Sequence, residues 1–205
     1  DSVELSVSFD FEHRPHYEKV LENILTLPRP VYLIILATPE VMSSDITSQI
    51  ALVRSLSNVR GVDIKPYSSN QSTSVRGTNA LYVDYVKRWL ESDLVSKMKN
   101  AKLLDDVINN NRNAFSDEHV YITPSGKFGV LEFDANDNEY FLELNNYEEY
   151  LTWCRKEKDT VLNMVCKTCP YHGKCLTEHY RRNEGVEDEC SGFRTLIDWW
   201  VEGKT

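Results

Sequence analysis

Cysteine spacing near the C-terminal end constrains this chain more than any other feature of its sequence. Three of its five cysteines, Cys166, Cys169 and Cys175, follow the pattern C-x2-C-x5-C on a short stretch broken by a proline and a glycine. Such residues favour turns, which would bring the thiols toward one point. A fourth thiol, Cys190, follows the polar segment 177–189. The pattern predicts a metal site of four cysteines that holds down a chain end with little apolar material of its own.

Spacing alone leaves two metals open. Disulfides are disfavoured because we expect no secretory leader and because a two-residue separation suits a structural bridge poorly. Zinc fits, since four-cysteine sites with a C-x2-C half are common tetrahedral zinc ligation, although zinc ribbons usually pair two such halves. Three thiolates from one loop with a distant fourth also suit a cubane iron–sulfur cluster. Iron–sulfur and zinc therefore remain equal alternatives on the spacing.

Composition excludes several classes of function. The 205 residues carry a net charge of −9, which argues against a general nucleic-acid surface, since such surfaces cluster Lys and Arg. The longest apolar stretch, Val31–Ala37, has the length of a buried strand and not of a membrane helix. We therefore expect no nucleic-acid or membrane partner. Clustered thiols favour a reducing compartment and predict a cytoplasmic protein.

The first half of the chain alternates predicted strands and helices. Residues 3–10, 31–37 and 62–67 have strand patterns, and apolar residues recur at helical spacing between them. Asp45 is placed to cap the second helix. This alternation with short connections predicts a parallel α/β sheet. The polar stretch 68–78 follows as a ligand-binding loop or a solvated connector.

The pattern changes in an Asn-rich segment. Asn79 is predicted to cap a helix, and a further amphipathic stretch ends at Asn109–Asn111. Beyond it, two strands are predicted about the turn at Pro124–Gly126, then a strand over 139–144 and a helix over 147–157. We accordingly divide the chain into domains 1–111 and 112–205, an α/β half followed by a small α+β, cysteine-rich half.

The cysteine run resembles the C-terminal SPASM or twitch domain of radical S-adenosylmethionine (SAM) enzymes. The full SPASM pattern is C-x2-C-x5-C-x3-C and binds two auxiliary clusters, but the x3 position here is His179. The preceding hairpin, which contributes the other ligands of the first cluster in that family, has no cysteine between 121 and 131. The resemblance therefore implies a single auxiliary 4Fe-4S cluster. Its ligands would be Cys166, Cys169, Cys175 and Cys190.

The first half is similar to the later part of the family's partial β/α barrel. Ser8-Phe9-Asp10 resembles its mid-barrel "SxD" strand, and Ile64–Tyr67 resembles a later strand end. The resemblance implies a half barrel followed by a SPASM/twitch-like cap. The family's C-x3-C-x2-C loop, which binds the cluster that cleaves SAM, does not occur in the sequence. The chain is thus expected to be the C-terminal part of a longer enzyme and inactive alone, with the N-terminal barrel half as its partner.

The resemblance also implies binding residues. Ser8 would approach the ribose of SAM and Arg14 its carboxylate, in the full-length enzyme. The alternatives are a strand-end serine bonded to backbone and a surface arginine beside a helix start. His172 and His179 flank the sulfurs as possible ligands or as solvent-facing histidines, and Cys154 is either a half-buried thiol or an extra ligand.

Two functions follow as expectations. The first is radical-based modification of a peptide or protein substrate, with the cap helping to position the substrate. The alternative is a zinc-binding cysteine-rich module, structural or peptide-recognising, without catalysis. Acidic residues between 132 and 149 suggest a basic peptide, or else a solvated surface.

Overall fold

The chain forms one parallel and one antiparallel β-sheet, each of three strands. The structure, a computed structural model, describes residues 5–66, 75–111, 121–133, 139–159, 168–172, 174–175, 190 and 193–203. The chain divides into two units. Unit 1 comprises Asp1–Tyr67, Gly77–Ile108 and Thr195–Thr205, and unit 2 comprises Ser68–Arg76 and Asn109–Arg194. The last segment of the chain thus groups with the first unit, whereas the sequence-based division at 111/112 placed it with the cysteines.

Unit 1 is an alternation of parallel strands and helices. In chain order the elements are β1 (Leu5–Ser8), α1 (Tyr17–Thr26), β2 (Val31–Ala37), α2 (Pro39–Ser43), α3 (Ile46–Ser55), β3 (Val59–Pro66), α4 (Val75–Leu90), α5 (Lys99–Ile108) and α7 (Phe193–Glu202), of which α4 and α7 lie almost wholly in this unit. Short 3₁₀ turns occur at Phe11–His13 and Val95–Lys97. The alternation confirms the α/β class expected for this half.

The parallel sheet has the order β1-β2-β3, so strands consecutive in sequence are neighbours in space. Along β2, every second residue from Val31 to Ala37 is buried, and those between are half-exposed. Ser8, Ile34 and Asp63 align across the three strands on the half-exposed face. Parallel sheets are usually covered on both faces. Among the described residues, the Val31 side of the sheet is fully buried, and the Ile34 side, here called the open face, is the more exposed of the two, although Lys99 partly covers it at Tyr32.

The outer edge of β3 is closed by the start of α5. Asn100 accepts from the backbone N–H of Ile64 through Oδ1 at 2.9 Å and donates to its carbonyl through Nδ2 at 2.9 Å. The backbone around Met98 bridges to Val62, and Lys97 Nζ donates to the Val59 carbonyl at 3.1 Å. These groups satisfy backbone polar atoms that a further strand would otherwise pair.

Unit 2 contains the antiparallel sheet, in the order β4 (Tyr121–Ile122), β5 (Phe128–Phe133) and β6 (Glu139–Leu144). The first turn is closed by a hydrogen bond from Gly126 N–H to the Thr123 carbonyl at 2.8 Å, and Gly126 has a φ of +80°, which glycine adopts without strain. Helix α6 (Tyr147–Asp159) packs on one face of this sheet. The hairpin, the third strand and the helix are as the sequence predicted.

Three sequence-based expectations were wrong. Asn79 does not cap α4, which begins at Val75. Strand β3 begins at Val59, three residues before the predicted strand over 62–67. The chain end is not poor in apolar residues, since Leu196 and Ile197 of α7 are each 1 % exposed. The first residues of α4 belong to the polar stretch 68–78, which lacks an apolar helical pattern, and the apolar residues of α7 follow the last cysteine.

The fold class is confirmed only at the level of mixed α/β. The described strands form a three-stranded parallel sheet and a three-stranded antiparallel sheet, and no closed barrel is found among them. None of the helices in the described part of the chain has both the length and the apolar character required to cross a membrane.

Candidate functional site

The cysteine stretch folds into two consecutive turns over the part that the structure describes. His172 N–H donates to the Cys169 carbonyl at 3.1 Å, with Pro170 at the second turn position, which proline favours. The backbone N–H of Cys175 then donates to the Tyr171 carbonyl at 3.1 Å. A β-turn brings its ends within about 7 Å between Cα atoms. The turns therefore curl the chain between two of the predicted ligands.

The two cysteines of these turns differ in exposure. Cys175 is 7 % exposed, whereas Cys169 is half-exposed and carries a free thiol. A buried sulfur can serve as a ligand, because a bound metal replaces its contact with solvent. A partly exposed sulfur is in addition accessible to an incoming metal ion. Both degrees of exposure are compatible with ligation, and the assignment of Cys169 and Cys175 as ligands remains a prediction.

Cys190 lies just before helix α7. Its Sγ accepts a hydrogen bond from the backbone N–H of Arg194 at 3.4 Å. The first N–H groups of a helix have no partner within the helix. A cysteine sulfur just before the helix can therefore accept a hydrogen bond from one of them. Hydrogen bonds to cysteine sulfurs are among the factors that set the potential of iron–sulfur clusters. The chemistry of this sulfur suits a thiolate ligand.

The remaining predicted ligands are not placed. Cys166 and His179 lie outside the described residues, and Cys154 belongs to α6 by its backbone only. Within the described ranges there is no group of three or more His, Cys, Asp or Glu side chains arranged to hold a metal ion. The four-cysteine site accordingly stays a prediction.

A second candidate site lies at the carboxyl edge of the parallel sheet, where α/β folds bind ligands. Ser8 is the last residue of β1 and its side chain is exposed. Phe9 follows, fully buried, and its N–H donates to the Ile34 carbonyl at 2.8 Å. Because successive strand residues point to opposite faces, Ser8 lies on the open face and beside Ile34. The structure thus gives this serine the accessibility that a ligand contact requires.

Asp10 is the residue at this edge that the sequence reasoning overlooked as a binding group. Its Oδ2 lies 3.8 Å from Arg14 NH1, and its buried Oδ1 has no hydrogen-bond partner among the described atoms. Buried polar atoms are almost always hydrogen-bonded. Asp10 therefore presents an acceptor for a donor that the described residues do not supply. Its place two residues after Ser8 in the "SxD" stretch was the signal available in the sequence.

The backbone between Asp10 and α1 is strained. Phe11 has a φ of +53° and His16 a φ of +59°, in the left-handed region that non-glycine residues rarely occupy. Phe11 is 1 % exposed and its ring packs edge-on against Phe9 at 5.1 Å between centroids. Burial of the Phe11 ring offsets the backbone cost. Such strain tends to be retained where a loop must hold one conformation.

Contacts from neighbouring segments also hold this loop. His13 Nε2 lies 2.7 Å from Ser44 Oγ, and the Ser44 hydroxyl donates to the Glu40 carbonyl at 2.9 Å. Since a hydroxyl has one proton, His13 is the donor in the first contact. The Tyr17 ring, in α1, packs on the Phe9 ring at 5.8 Å between centroids. Partial burial and, to a lesser extent, the charge of Glu12 raise the pKa of Tyr17. The loop after β1 is thus fixed to α1 and α2.

Polar groups continue along the open face from this edge. Asp63 aligns with Ile34 and Ser8, and its Oδ2 lies 3.2 Å from Lys65 Nζ. Farther down the same face, Lys99 Nζ lies 4.7 Å from the centroid of the Tyr32 ring. The face thus combines one ion pair and one cation–π contact with half-exposed apolar side chains.

Comparison with known proteins adds no assignment. No family model matches the sequence, and no significant match is found among curated proteins or solved structures.

Proposed function

We propose that this chain is the C-terminal part of a radical SAM enzyme that modifies a peptide or protein in the cytoplasm. The observation that carries the proposal is the spacing of four cysteines, C-x2-C-x5-C followed by Cys190. The consecutive turns between Cys169 and Cys175 support it, because they bring residues that are distant along an extended chain close together. The hydrogen bond that the Arg194 N–H donates to Cys190 Sγ also supports the proposal.

Features of the parallel sheet are also consistent with a half barrel. Its strands are in sequential order, its Ile34 face is open, and its β3 edge is closed by Asn100. In the described part of the chain, β1 pairs on one side only, with β2. A sheet that is closed at β3 can be extended at β1. We propose that the N-terminal barrel half, with the radical-generating cluster, adds there.

The residues have distinct proposed roles. Cys166, Cys169, Cys175 and Cys190 would hold one auxiliary 4Fe-4S cluster, which supplies one-electron transfer when bound. Ser8 would bind the ribose of SAM and Arg14 its carboxylate, and we add Asp10, whose buried Oδ1 would accept a hydrogen bond from the same ligand. The chain alone would bind and orient, and would not catalyse, because it has no C-x3-C-x2-C loop.

Metal analysis tests the cluster. Anaerobically purified protein should contain about four irons and four sulfides per chain, with a broad visible absorption that bleaches on reduction. Replacing any one of the four cysteines with serine should remove most of the iron, whereas Cys154→Ser should leave it unchanged. Iron content that survives the Cys190→Ser change would contradict the proposed ligand set.

The alternative is a zinc-binding cap that recognises a peptide or stabilises the fold without catalysis. The observation that favours it is His172, a half-buried imidazole in the same turn as Cys169, since histidine is a common zinc ligand beside cysteine. One zinc per chain in colourless protein, lost on His172→Ala, would establish this alternative. In that case chelation should also lower the thermal stability of the protein, because structural zinc contributes folding free energy.

A further inference from the structure

Strand β6 forms an edge of the antiparallel sheet in unit 2. It pairs with β5 along its whole length, from Glu139 to Leu144, and no strand lies on its other side within the described ranges. An edge strand directs the N–H and C=O groups of every second residue outward, where another strand can pair with them. Six residues are the usual length of a strand in a sheet. The β6 edge is therefore long enough to accept one.

Of the sequence devices that block pairing, this edge has only charged side chains, those of Glu139 and Glu143. Natural sheets protect their edges with charged residues, proline, bulges or very short strands. Two glutamates disfavour pairing with an acidic strand, whereas a basic strand would bring opposite charges together. The β6 sequence Glu-Tyr-Phe-Leu-Glu-Leu contains neither lysine nor proline, and its pairing with β5 runs without a register shift. The opposite edge strand, β4, is by contrast only two residues long. Of the two edges, β6 is the one suited to a partner strand.

An aromatic side chain lies beside the edge. Phe141 is 46 % exposed, and a Cβ added at Gly129 would come within 3.1 Å of its ring. The ring therefore lies over the adjacent glycine of β5. The other face of the sheet is covered by α6, through the contacts of Phe128 with Tyr147 and Tyr150. Phe141 is thus an apolar contact on the face that α6 does not cover.

The charge of this part of the sequence favours a basic partner. Residues 121–159 contain nine acidic and four basic residues, so they carry a net charge of −5 out of the −9 of the chain. Glu143, two residues after Phe141, shares its face and is 37 % exposed. The pKa of Glu143 is lowered mainly by a hydrogen bond from Ser125, and further by a hydrogen bond from Thr123 and by the charge of Lys127. This carboxylate therefore remains ionised at neutral pH.

We propose that the β6 edge binds an extended, basic peptide segment, which adds to the sheet as a fourth strand. Backbone hydrogen bonds to β6 would supply most of the affinity, as in other cases of strand addition. Within the peptide, an apolar residue would contact Phe141, and a lysine or arginine two positions away would lie beside Glu143. The proposal does not depend on the metal or on the radical SAM assignment.

Backbone methylation tests the mode of binding. The probe is a fluorescein-labelled nonapeptide in which threonine alternates with valine and lysine, and its binding is followed by fluorescence anisotropy. Two further peptides are N-methylated on the odd or on the even backbone nitrogens. Because only every second N–H faces β6, one methylated peptide should lose at least about tenfold in affinity, near 1.4 kcal/mol, and the other should bind within about twofold of the parent. Equal binding by both, or no binding by the parent, would overturn the proposal.

Two variants locate the binding edge. Phe141→Ser should weaken binding of the parent peptide by about tenfold, a loss typical of one buried aromatic contact. Ile122→Ser is the matched control, since Ile122 is 60 % exposed and lies on the opposite edge strand. It should change the affinity less than about twofold, and circular dichroism should show that both variants fold. An equal loss in both variants would contradict an edge-specific site.

Two further measurements distinguish a basic peptide from other partners of this edge. A peptide with glutamate in place of lysine should bind at least about tenfold more weakly at low salt, and less so at high salt, because the attraction is screened. Sedimentation of the protein alone should show no self-association through this edge. If the protein does self-associate and Phe141→Ser abolishes that association, the edge pairs with a second copy of this chain and the peptide proposal is wrong.

Discussion

Gly61 and Tyr32 show how a single residue can be fixed by a contact across two strands. They are paired in the register of β2 and β3, and a Cβ at position 61 would lie 2.5 Å from Tyr32 Cδ1. The Tyr32 ring is also in contact with Lys99 Nζ, which limits its freedom to move aside. Gly61→Ala should therefore lower the free energy of unfolding by about 1–3 kcal/mol, as expected for overpacking. Urea denaturation at neutral pH measures it.

The Tyr32 ring provides the control for that prediction. In a Tyr32→Ser background, the space beside position 61 is open, so adding Gly61→Ala should cost less than about 0.5 kcal/mol. The two changes should consequently be non-additive by about 1 kcal/mol or more, as residues in contact usually are. Additive effects would show that the Tyr32 ring is not what excludes a side chain at position 61.

Tyr85 is the residue whose ionisation should affect stability at high pH. Burial raises its pKa well above the ordinary value, and its hydroxyl donates to Gln49 Oε1. Folding therefore favours the neutral phenol. This stabilisation is fully present below the unfolded pKa of about 10 and is lost as pH rises above it.

The Tyr85→Phe variant separates the two contributions. At pH 7 it should be less stable by about 1–2 kcal/mol, because Gln49 loses its donor. The difference in free energy of unfolding between this variant and the native protein should shrink above pH 10. In that range the ionisation of Tyr85 favours the unfolded native chain, and phenylalanine does not ionise. Urea midpoints at pH 7 and pH 11 test this. A constant difference across that range would contradict the raised pKa.

At the scale of elements, Asn100 joins α5 to the edge of β3. Its side-chain amide donates to one backbone group of Ile64 and accepts from the other, and the residue is 4 % exposed. Asn100→Ala should remove both hydrogen bonds and destabilise the protein by about 1–3 kcal/mol, since the buried Ile64 N–H would lose its partner while the Ile64 carbonyl keeps the Tyr82 hydroxyl at 3.3 Å. Hydrogen exchange should report faster exchange of the Ile64 amide.

An exposed asparagine provides the comparison. Asn23, on the solvent side of α1, can be replaced by alanine with a change within about 0.5 kcal/mol. If Asn100→Ala is equally mild, another group must pair with Ile64, and the edge of β3 is not closed by α5.

At the scale of the whole molecule, α7 connects the cysteine-rich end of the chain to the core of unit 1. Trp200 Nε1 donates to Asp105 Oδ1 at 2.8 Å, and Lys87 Nζ lies 5.2 Å from the Trp199 ring centroid. Leu196→Ala should cost about 2–4 kcal/mol, as truncation of a buried leucine usually does. Amides of α4 and α5 should lose exchange protection, whereas those of β5 and β6 should not. Loss of protection confined to β5 and β6 would contradict the grouping of α7 with unit 1.

Much of the local structure could be predicted from the sequence. Val31–Ala37 was predicted as a buried strand, Asp45 as a helix cap and Pro124–Gly126 as a turn, and all three are confirmed. Each depends on residues within a few positions of one another. The start of α4 was missed, because Asn79 is a good capping residue that lies inside the helix. Of the candidate site, Ser8 and Arg14 were named from the sequence, but the unsatisfied oxygen of Asp10 needed the packing around it.

The sequence by itself determined the alternation of strands and helices, the two hairpin strands and the cysteine spacing, because these follow from local periodicity, turn chemistry and residue type. Only the tertiary structure decided that one face of the parallel sheet is more exposed than the other, that Asn100 closes the edge of β3 and that α7 belongs to unit 1. Those outcomes depend on partners tens of residues apart. No local pattern encodes such pairings, because they are set by which buried backbone and side-chain groups find partners when the whole chain packs.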